Sequence, residues 1–247
     1  MDHHTVAAVS ITGTCLDVLG SLYLAYDVLG GQHGPLRLLT RAVTYSIVFG
    51  IGYGFGLGLF FGLLSGVATG LTISIELHRA SRGLPHYPLR MEAFFSAIRG
   101  SALGAGLYNL AGLRFSIAFA ALITVGQILA YCRNIRPGMD YSAERRPRLT
   151  SRQLWATLIR TIGYMIAALI CSAFVRHLEH PWQFAIRLGL VTGLVTGVGQ
   201  VLNPYIEYYA DSLPERRLAA FGIGLILCGF ALQSVQYWLS LLDVRIT

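Results

Sequence analysis

Long apolar runs dominate this chain. Windows of about twenty apolar residues, the length that crosses a bilayer core, predict helices at residues 6–29, 42–75, 93–112, 115–132, 154–175, 184–206 and 218–242. Charged residues make up only 13% of the sequence, against about 25% in soluble domains. The pattern therefore predicts an all-α polytopic membrane protein with little mass outside the bilayer.

The longest apolar run carries a glycine at every fourth position. In a helix interior that water can reach, glycine costs about 1 kcal/mol, whereas in lipid small residues allow helices to pack backbone to backbone. The stripe therefore predicts close helix packing within a membrane. It consists of Gly50, Gly54, Gly58, Gly62, Gly66 and Gly70.

This run is too long for one membrane span. A helix over residues 42–75 would measure about 51 Å at a rise of about 1.5 Å per residue, whereas the hydrocarbon core is about 30 Å thick. We therefore predict two helices that turn near Gly50 to Gly56. This division brings the total to about eight transmembrane helices.

Charge placement supports that count. All 19 basic residues are arginine and the net charge is +7, which in a soluble chain would indicate nucleic acid or an acidic partner. With eight spans and an external N-terminus, most arginines fall on the cytoplasmic side, as the positive-inside rule requires. We expect a multi-pass protein of a cell membrane, namely a bacterial inner membrane. Its partner is expected to be the lipid bilayer, and we expect no binding to nucleic acid.

The longest polar segment, residues 133–152, is rich in arginine. One interpretation is a topology signal, because cytoplasmic loops collect basic residues. The other is contact with anionic lipid headgroups or a partner protein through Arg145, Arg146 and Arg148, each worth about 1 kcal/mol near a charged leaflet. Both interpretations stay open.

Two glycine-striped stretches of the chain resemble each other, residues 58–76 and 189–207. They align without a gap, and an Arg-x-x-x-Tyr motif upstream recurs at Arg41 and at Arg160 if the second copy carries extra residues in a hairpin turn. The identical pairs on which the comparison depends are Gly58, Gly62, Gly66 and Glu76, aligned with Gly189, Gly193, Gly197 and Glu207.

This similarity predicts an internal repeat of four helices. Because four spans return the chain to its starting side, the two copies have the same orientation and form a parallel repeat about an axis along the membrane normal. We place the first repeat at residues 1–113 and the second, which includes the arginine-rich loop, at residues 114–247. The aligned glycines are predicted to be the helix-packing positions.

Carboxylates inside the predicted spans are the first candidates for chemistry, because an ionisable group within a span is a functional hypothesis by default. Asp17, near the middle of the first span, either lines a proton or cation site or bonds in neutral form to a neighbouring helix. Glu76 and Glu207 lie at the cytoplasmic ends of the two striped helices. They either bind a cation or pair with neighbouring arginines.

Asn203 and Pro204 interrupt the seventh predicted span. Proline removes a backbone hydrogen bond and frees carbonyl groups upstream, and broken helices at membrane depth line ion or substrate sites in transporters. The same two residues are also compatible with an ordinary packing kink, which lipid-phase helices tolerate.

Motifs for other chemistry are missing from the sequence. There is no HExxH motif or Cys/His cluster at metal-ligand spacing, and the four cysteines stand singly in apolar segments. A chain without lysine has no Walker lysine, and no GxSxG elbow is present. We therefore predict no metal, no cofactor and no catalytic residue.

We expect a small transporter or channel subunit for an ion or small solute. Its path would run between the two repeats near Asp17, Glu76, Asn203, Pro204 and Glu207. The alternative is a non-catalytic structural or accessory subunit, either a homo-oligomer or a partner of another membrane protein, joined through the glycine faces and the arginine-rich loop. A lipid-modifying enzyme ranks third, because no catalytic constellation stands out.

Overall fold

The protein is built from helices. The computed structural model describes residues 3–28, 36–81, 88–132, 151–173, 180–212 and 215–241. Within these ranges the regular structure consists of α1 (His3–Val28), α2 (Leu36–Leu57), α3 (Leu59–Ser81), α4 (Leu89–Cys132), α5 (Ser151–Ala173), α6 (Pro181–Ser212) and α7 (Glu215–Leu241). Five of them, α2, α3, α4, α5 and α7, contain segments long and apolar enough to cross a membrane. The prediction of an all-helical, membrane-embedded protein is confirmed.

The chain divides into two compact units. Unit 1 comprises residues 1–40 and 210–247, and thus contains α1 and α7. Unit 2 comprises residues 41–209, and contains α3, α4, α5 and most of α2 and α6. The predicted boundary between residues 113 and 114 falls inside unit 2, and the division into repeats stays a prediction.

The long apolar run forms two helices, and the chain turns between them at Gly58. The φ angle of this residue is 99°, a conformation that side-chain-bearing residues rarely adopt. Its N–H donates to the carbonyl of Gly54, and its own carbonyl accepts from the N–H of Gly62, both at 2.9 Å. The turn therefore lies just beyond the predicted region of Gly50 to Gly56, which is still helical.

α2 and α3 pack against each other through glycine backbone. A Cβ placed on Gly62 would lie 2.6 Å from the Cα of Gly54, and one placed on Gly66 would lie 2.5 Å from the Cα of Gly50. Both pairs are placed symmetrically about Gly58, so the two helices run antiparallel. No side chain fits between helices at this separation.

α4 is a second hairpin. A straight helix of its 44 residues would measure about 66 Å, but Gly112, with φ 79° and ψ 171°, divides it into a first arm (residues 89–111) and a second arm (residues 113–132). A Cβ on Gly104 would lie 2.5 Å from the carbonyl oxygen of Ser116. The two arms therefore fold back on each other, and they correspond to the two apolar windows that the sequence predicts here.

α6 packs against both α5 and α2. A Cβ on Gly193 would lie 2.5 Å from the Cα of Thr161 in α5, and one on Gly52 of α2 would lie 3.0 Å from the side chain of Val195. The other close approaches are Gly189 to Met165, Gly197 to Thr157, Gly56 to Val191 and Gly199 to Phe49. In both helix pairs the contacts advance in opposite sequence directions, so α6 is antiparallel to α5 and to α2.

The two Arg-x-x-x-Tyr motifs do not occupy equivalent positions relative to the glycine contacts. Gly62 of α3 faces Gly54 of α2, whereas Gly193 of α6 faces Thr161 of α5. If the motifs and the glycines were both equivalent, Gly193 would face residue 173, which lies as far from Arg160 as Gly54 lies from Arg41. The contact between α5 and α6 is thus displaced by about 12 residues, or about 18 Å along the helix. Gly62 and Gly193 each pack against the preceding helix, but the upstream motifs are not placed alike.

The core of unit 2 is aromatic. Tyr45, Phe49 and Tyr53 follow one another at intervals of four residues on one face of α2, and each is at most 1% exposed. The ring of Phe61, at the start of α3, meets Tyr53 edge to face at a centroid distance of 5.7 Å. Large rings therefore fill the spaces that the glycine contacts leave.

Arg187 of α6 closes the end of α2. Its Nε and Nη2 both donate to the carbonyl oxygen of Gly56, at 3.1 and 2.9 Å. The last carbonyls of a helix lack amide partners and carry the negative end of the helix dipole, so a guanidinium is favourable there. Arg187 thereby stabilises the helix end that precedes the Gly58 turn.

Replacing Arg187 with glutamine is expected to lower the free energy of unfolding by about 1–2 kcal/mol, because two charge-assisted hydrogen bonds are lost at a partly solvated site. Reversible unfolding in mixed detergent micelles measures this loss. Arg114→Gln is the matched control, since Arg114 is exposed on the second arm of α4 and makes no polar contact among the described residues. Equal losses in both variants would contradict the role of the bond to Gly56.

Candidate functional site in the polar interior of unit 2

A buried ion pair lies in the first arm of α4. Glu92 is 1% and Arg99 8% exposed, and Arg99 Nη2 donates to Glu92 Oε1 at 2.9 Å. Ser96 donates its hydroxyl to the same carboxylate oxygen at 3.1 Å. The three residues share one helix face, because they are separated by four and then three positions.

The ion pair also connects the two arms of α4. Arg99 Nε donates to Gln127 Oε1 of the second arm at 3.0 Å. Nearby, Thr124 donates its hydroxyl to the backbone carbonyl of Ser96 at 3.3 Å. These bonds hold the hairpin together far from its turn at Gly112.

Other polar side chains are buried in unit 2. Tyr53 of α2, Thr69 of α3 and Thr161 of α5 are each at most 8% exposed. Four helices, α2 to α5, therefore contribute polar side chains to the interior of unit 2. A carboxylate, guanidinium groups, an amide and hydroxyls in an apolar bundle can hold a proton or replace the hydration shell of an ion.

Sequence reasoning misses the ion pair. It counts Arg99 only among the basic residues of the cytoplasmic side and gives Glu92 no role. The available signal is the spacing of Glu92, Ser96 and Arg99, which places a carboxylate, a hydroxyl and a guanidinium on one face of a predicted helix.

Asp17 lies half-buried on α1 in unit 1. Its Oδ2 accepts a hydrogen bond from Gln233 Nε2 of α7 at 2.7 Å, and the same nitrogen donates to Thr14 Oγ1 at 3.3 Å. The two helices come close because Gly13 faces Gly229. Asp17 Oδ1 is buried without a hydrogen-bond partner. One oxygen is thus bonded to a neighbouring helix, and the other is not.

The remaining predicted path residues lie on α3 and α6. Glu76 is half-buried in α3 and interacts with its surroundings. Asn203 is 1% exposed, and the Tyr45 hydroxyl donates to its backbone carbonyl at a long 3.4 Å. Pro204 and Glu207 belong to the helical backbone of α6, but their side chains fall outside the described part of the chain.

Most predicted packing glycines face a neighbouring helix. The exception is Gly58, where an added Cβ would meet no atom within 4 Å and the residue serves the turn instead. The glycines at which an added Cβ would meet another helix closely are Gly62, Gly66, Gly189, Gly193 and Gly197.

Two further predictions concern charged and metal-binding groups. Arg145, Arg146 and Arg148 lie outside the described residues. Among the residues that the structure does describe, no three His, Cys, Asp or Glu side chains are grouped so that they could hold a metal ion.

Comparisons with protein-family models, with curated proteins and with solved structures found no significant match. The class of protein therefore follows from the structure itself. It is an α-helical, membrane-embedded protein, and its second unit encloses a buried ion pair.

Proposed function

We propose that this protein is a transporter or channel subunit for an ion or small solute, with its path through the interior of unit 2. The observation that carries the proposal is the buried pair of Glu92 and Arg99 between the arms of α4. Gln127 extends these polar contacts to the second arm of α4.

A buried ion pair supports function more than stability. Desolvation of the two ions offsets their attraction, and well-packed apolar residues stabilise a fold equally well or better. Within a membrane the cost of charged side chains is higher, and such residues mark ion paths and proton relays. Glu92 and Arg99 therefore fit a path better than a purely structural contact.

The proposed topology has eight spans, with an external N-terminus and arginine-rich cytoplasmic loops in a bacterial inner membrane. It requires both arms of α4 to cross the bilayer. The antiparallel packing of α6 against α2 supports this requirement. If each element from α2 to α5 crossed once, α2 and α6 would be parallel, so the chain needs the additional reversal at Gly112.

We also propose that residues 1–113 and 114–247 are parallel four-helix repeats. The support is that Gly62 and Gly193, which align in sequence, each pack against the preceding helix. Because the Arg-x-x-x-Tyr motifs are displaced, the similarity between the two proposed repeats is limited to the glycine-striped helices α3 and α6.

A separate observation favours the alternative, in which the protein is an accessory subunit or a homo-oligomer. Gly126 of α4 and Gly163 of α5 are exposed, and a Cβ on either would meet no atom within 4 Å. Glycine weakens a helix when nothing packs against it, so these faces suit a helix of another chain. On either proposal, the loop of residues 133–152 would contact anionic headgroups.

Reconstitution into liposomes tests the transport proposal. The purified protein is expected to carry flux above that of empty liposomes under at least one gradient of Na⁺, K⁺, Cl⁻, protons or a small neutral solute. Arg99→Gln is expected to reduce this flux about tenfold or more, because it removes the charged group of the path. Arg114→Gln makes the same substitution at an exposed position of α4 and is expected to leave the flux unchanged.

Two results would contradict the proposal. Absence of flux under every gradient would reject transport, and unchanged flux in a correctly folded Arg99→Gln variant would reject the location of the path. Co-purification of a stoichiometric membrane protein that is lost in Gly163→Leu would favour the accessory role.

A further inference from the structure

Arg99 shares its guanidinium between a charged and an uncharged partner. Its Nη2 donates to the carboxylate of Glu92 at 2.9 Å, and its Nε donates to Gln127 Oε1 at 3.0 Å. Because a guanidinium has no acceptor, Gln127 must present its amide oxygen to Arg99. The orientation of the amide is thereby fixed, and its amino group points away from this bond.

The amino group of Gln127 is not used by the fold. Gln127 is half-buried, whereas Glu92 and Arg99 are buried. The bond to Arg99 is its one polar contact among the described residues. Nε2 therefore keeps two N–H groups that can donate to a molecule outside the ion pair.

The charges of these three residues cancel. Glu92 carries one negative charge, Arg99 carries one positive charge, and Gln127 carries none. A cation that approaches Glu92 is repelled by Arg99, and an anion that approaches Arg99 is repelled by Glu92. Neither kind of ion is therefore compensated here for the loss of its hydration, which is the main cost of bringing a charge into an apolar bundle. An uncharged polar solute has a much smaller cost to recover.

Gln127 is the position at which this balance can be changed without changing the shape of the site. Glutamate is isosteric with glutamine and would still present an oxygen to Arg99 Nε. The three residues would then carry a net negative charge, and clusters of carboxylates select cations.

We propose that Gln127 is a specificity-determining residue of the path. By leaving the three residues neutral, it selects small uncharged polar solutes and excludes ions of both signs. This inference rests on the proposed function and names the class of substrate for the same site.

Flux in liposomes that contain the full chain tests the inference, with glycerol, Na⁺ and Cl⁻ as probes. The unmodified protein is expected to raise glycerol flux above that of empty liposomes and to leave both ion fluxes unchanged. Gln127→Glu is expected to raise Na⁺ flux about tenfold or more without raising Cl⁻ flux, because the added charge attracts a cation at short range. Gln183→Glu is the matched control, since Gln183 is exposed at the start of α6, and it is expected to leave Na⁺ flux unchanged.

The comparison of the three probes needs no substitution and stands even if Gln127→Glu does not fold. Flux of Na⁺ or Cl⁻ that equals or exceeds glycerol flux in the unmodified protein would overturn the inference and leave transport itself intact. A folded Gln127→Glu variant without a gain in Na⁺ flux would overturn the role of Gln127. Absence of flux under every gradient would overturn the proposed function as well. A residue that only held the α4 hairpin together would give no gain of cation flux, because glutamate keeps the bond to Arg99.

Discussion

Replacing Gly66 with alanine is expected to separate α2 from α3 and to lower the free energy of unfolding by about 3 kcal/mol or more. The new Cβ would lie 2.5 Å from the Cα of Gly50, 2.6 Å from its N and 2.8 Å from the carbonyl oxygen of Ser46. All three are backbone atoms, so no rotation of a side chain relieves the clash. The helices must move apart, which weakens their contacts along the whole stripe.

The same substitution at Gly163 is expected to have the opposite sign. A Cβ there meets no atom within 4 Å, so alanine should stabilise α5 by about 0.5–1 kcal/mol through helix propensity alone. Denaturant titration in mixed micelles measures both variants under one condition. If Gly163→Ala lowered the free energy of unfolding as much as Gly66→Ala does, the loss at Gly66 could not be explained by the clash with the backbone of α2.

The helices of this protein are predictable because the bilayer fixes their length. A span needs about twenty apolar residues, and the run at residues 42–75 exceeds one span, so its division follows from the sequence alone. The turn residue does not follow. Every glycine of the stripe can adopt a positive φ, so the sequence does not show which of them forms the turn. The turn at Gly58 lies next to a contact between distant parts of the chain, the hydrogen bond from Arg187 to the carbonyl of Gly56.

Polar residues are predictable when they stand inside an apolar run. Asp17 is conspicuous for this reason, and the structure gives it a partner on α7. Glu92 precedes the window at residues 93–112 and Arg99 lies in its first two turns, close to the predicted cytoplasmic side, where charges are ordinary. Neither residue is therefore singled out from the sequence. Gln127, the partner of Arg99, is brought to it by the reversal at Gly112. The two windows predict the helices on either side of this reversal, but they do not predict which side chains meet between them.

Removing the guanidinium of Arg99 alone is expected to lower the free energy of unfolding by about 3–5 kcal/mol. Arg99→Ala removes the guanidinium that lies 2.9 Å from the carboxylate of Glu92, a residue that is 1% exposed. Ser96 still donates to that carboxylate, but one hydroxyl does not replace the guanidinium. Glu92→Leu alone removes the carboxylate that Arg99 Nη2 contacts at 2.9 Å and is expected to be similarly destabilising.

The double variant Glu92→Leu with Arg99→Met is expected to recover most of this stability, because both charges are removed together and desolvation of both ions is avoided. A double-mutant cycle in mixed micelles checks this, since the two single losses should not add for residues in contact. Losses that do add would contradict a direct ion pair.

The double variant also separates structure from function at this site. If the Glu92 and Arg99 charges only hold the α4 hairpin together, a variant that regains stability should also regain flux in liposomes. If the charges form part of the path, the variant should fold as stably as the unmodified protein and still carry no flux. A stable double variant that still carries flux would show that the pair has a structural role and that the path lies elsewhere. A stable double variant without flux would show that the two charges are needed for transport, because the fold is retained and the charges have been removed.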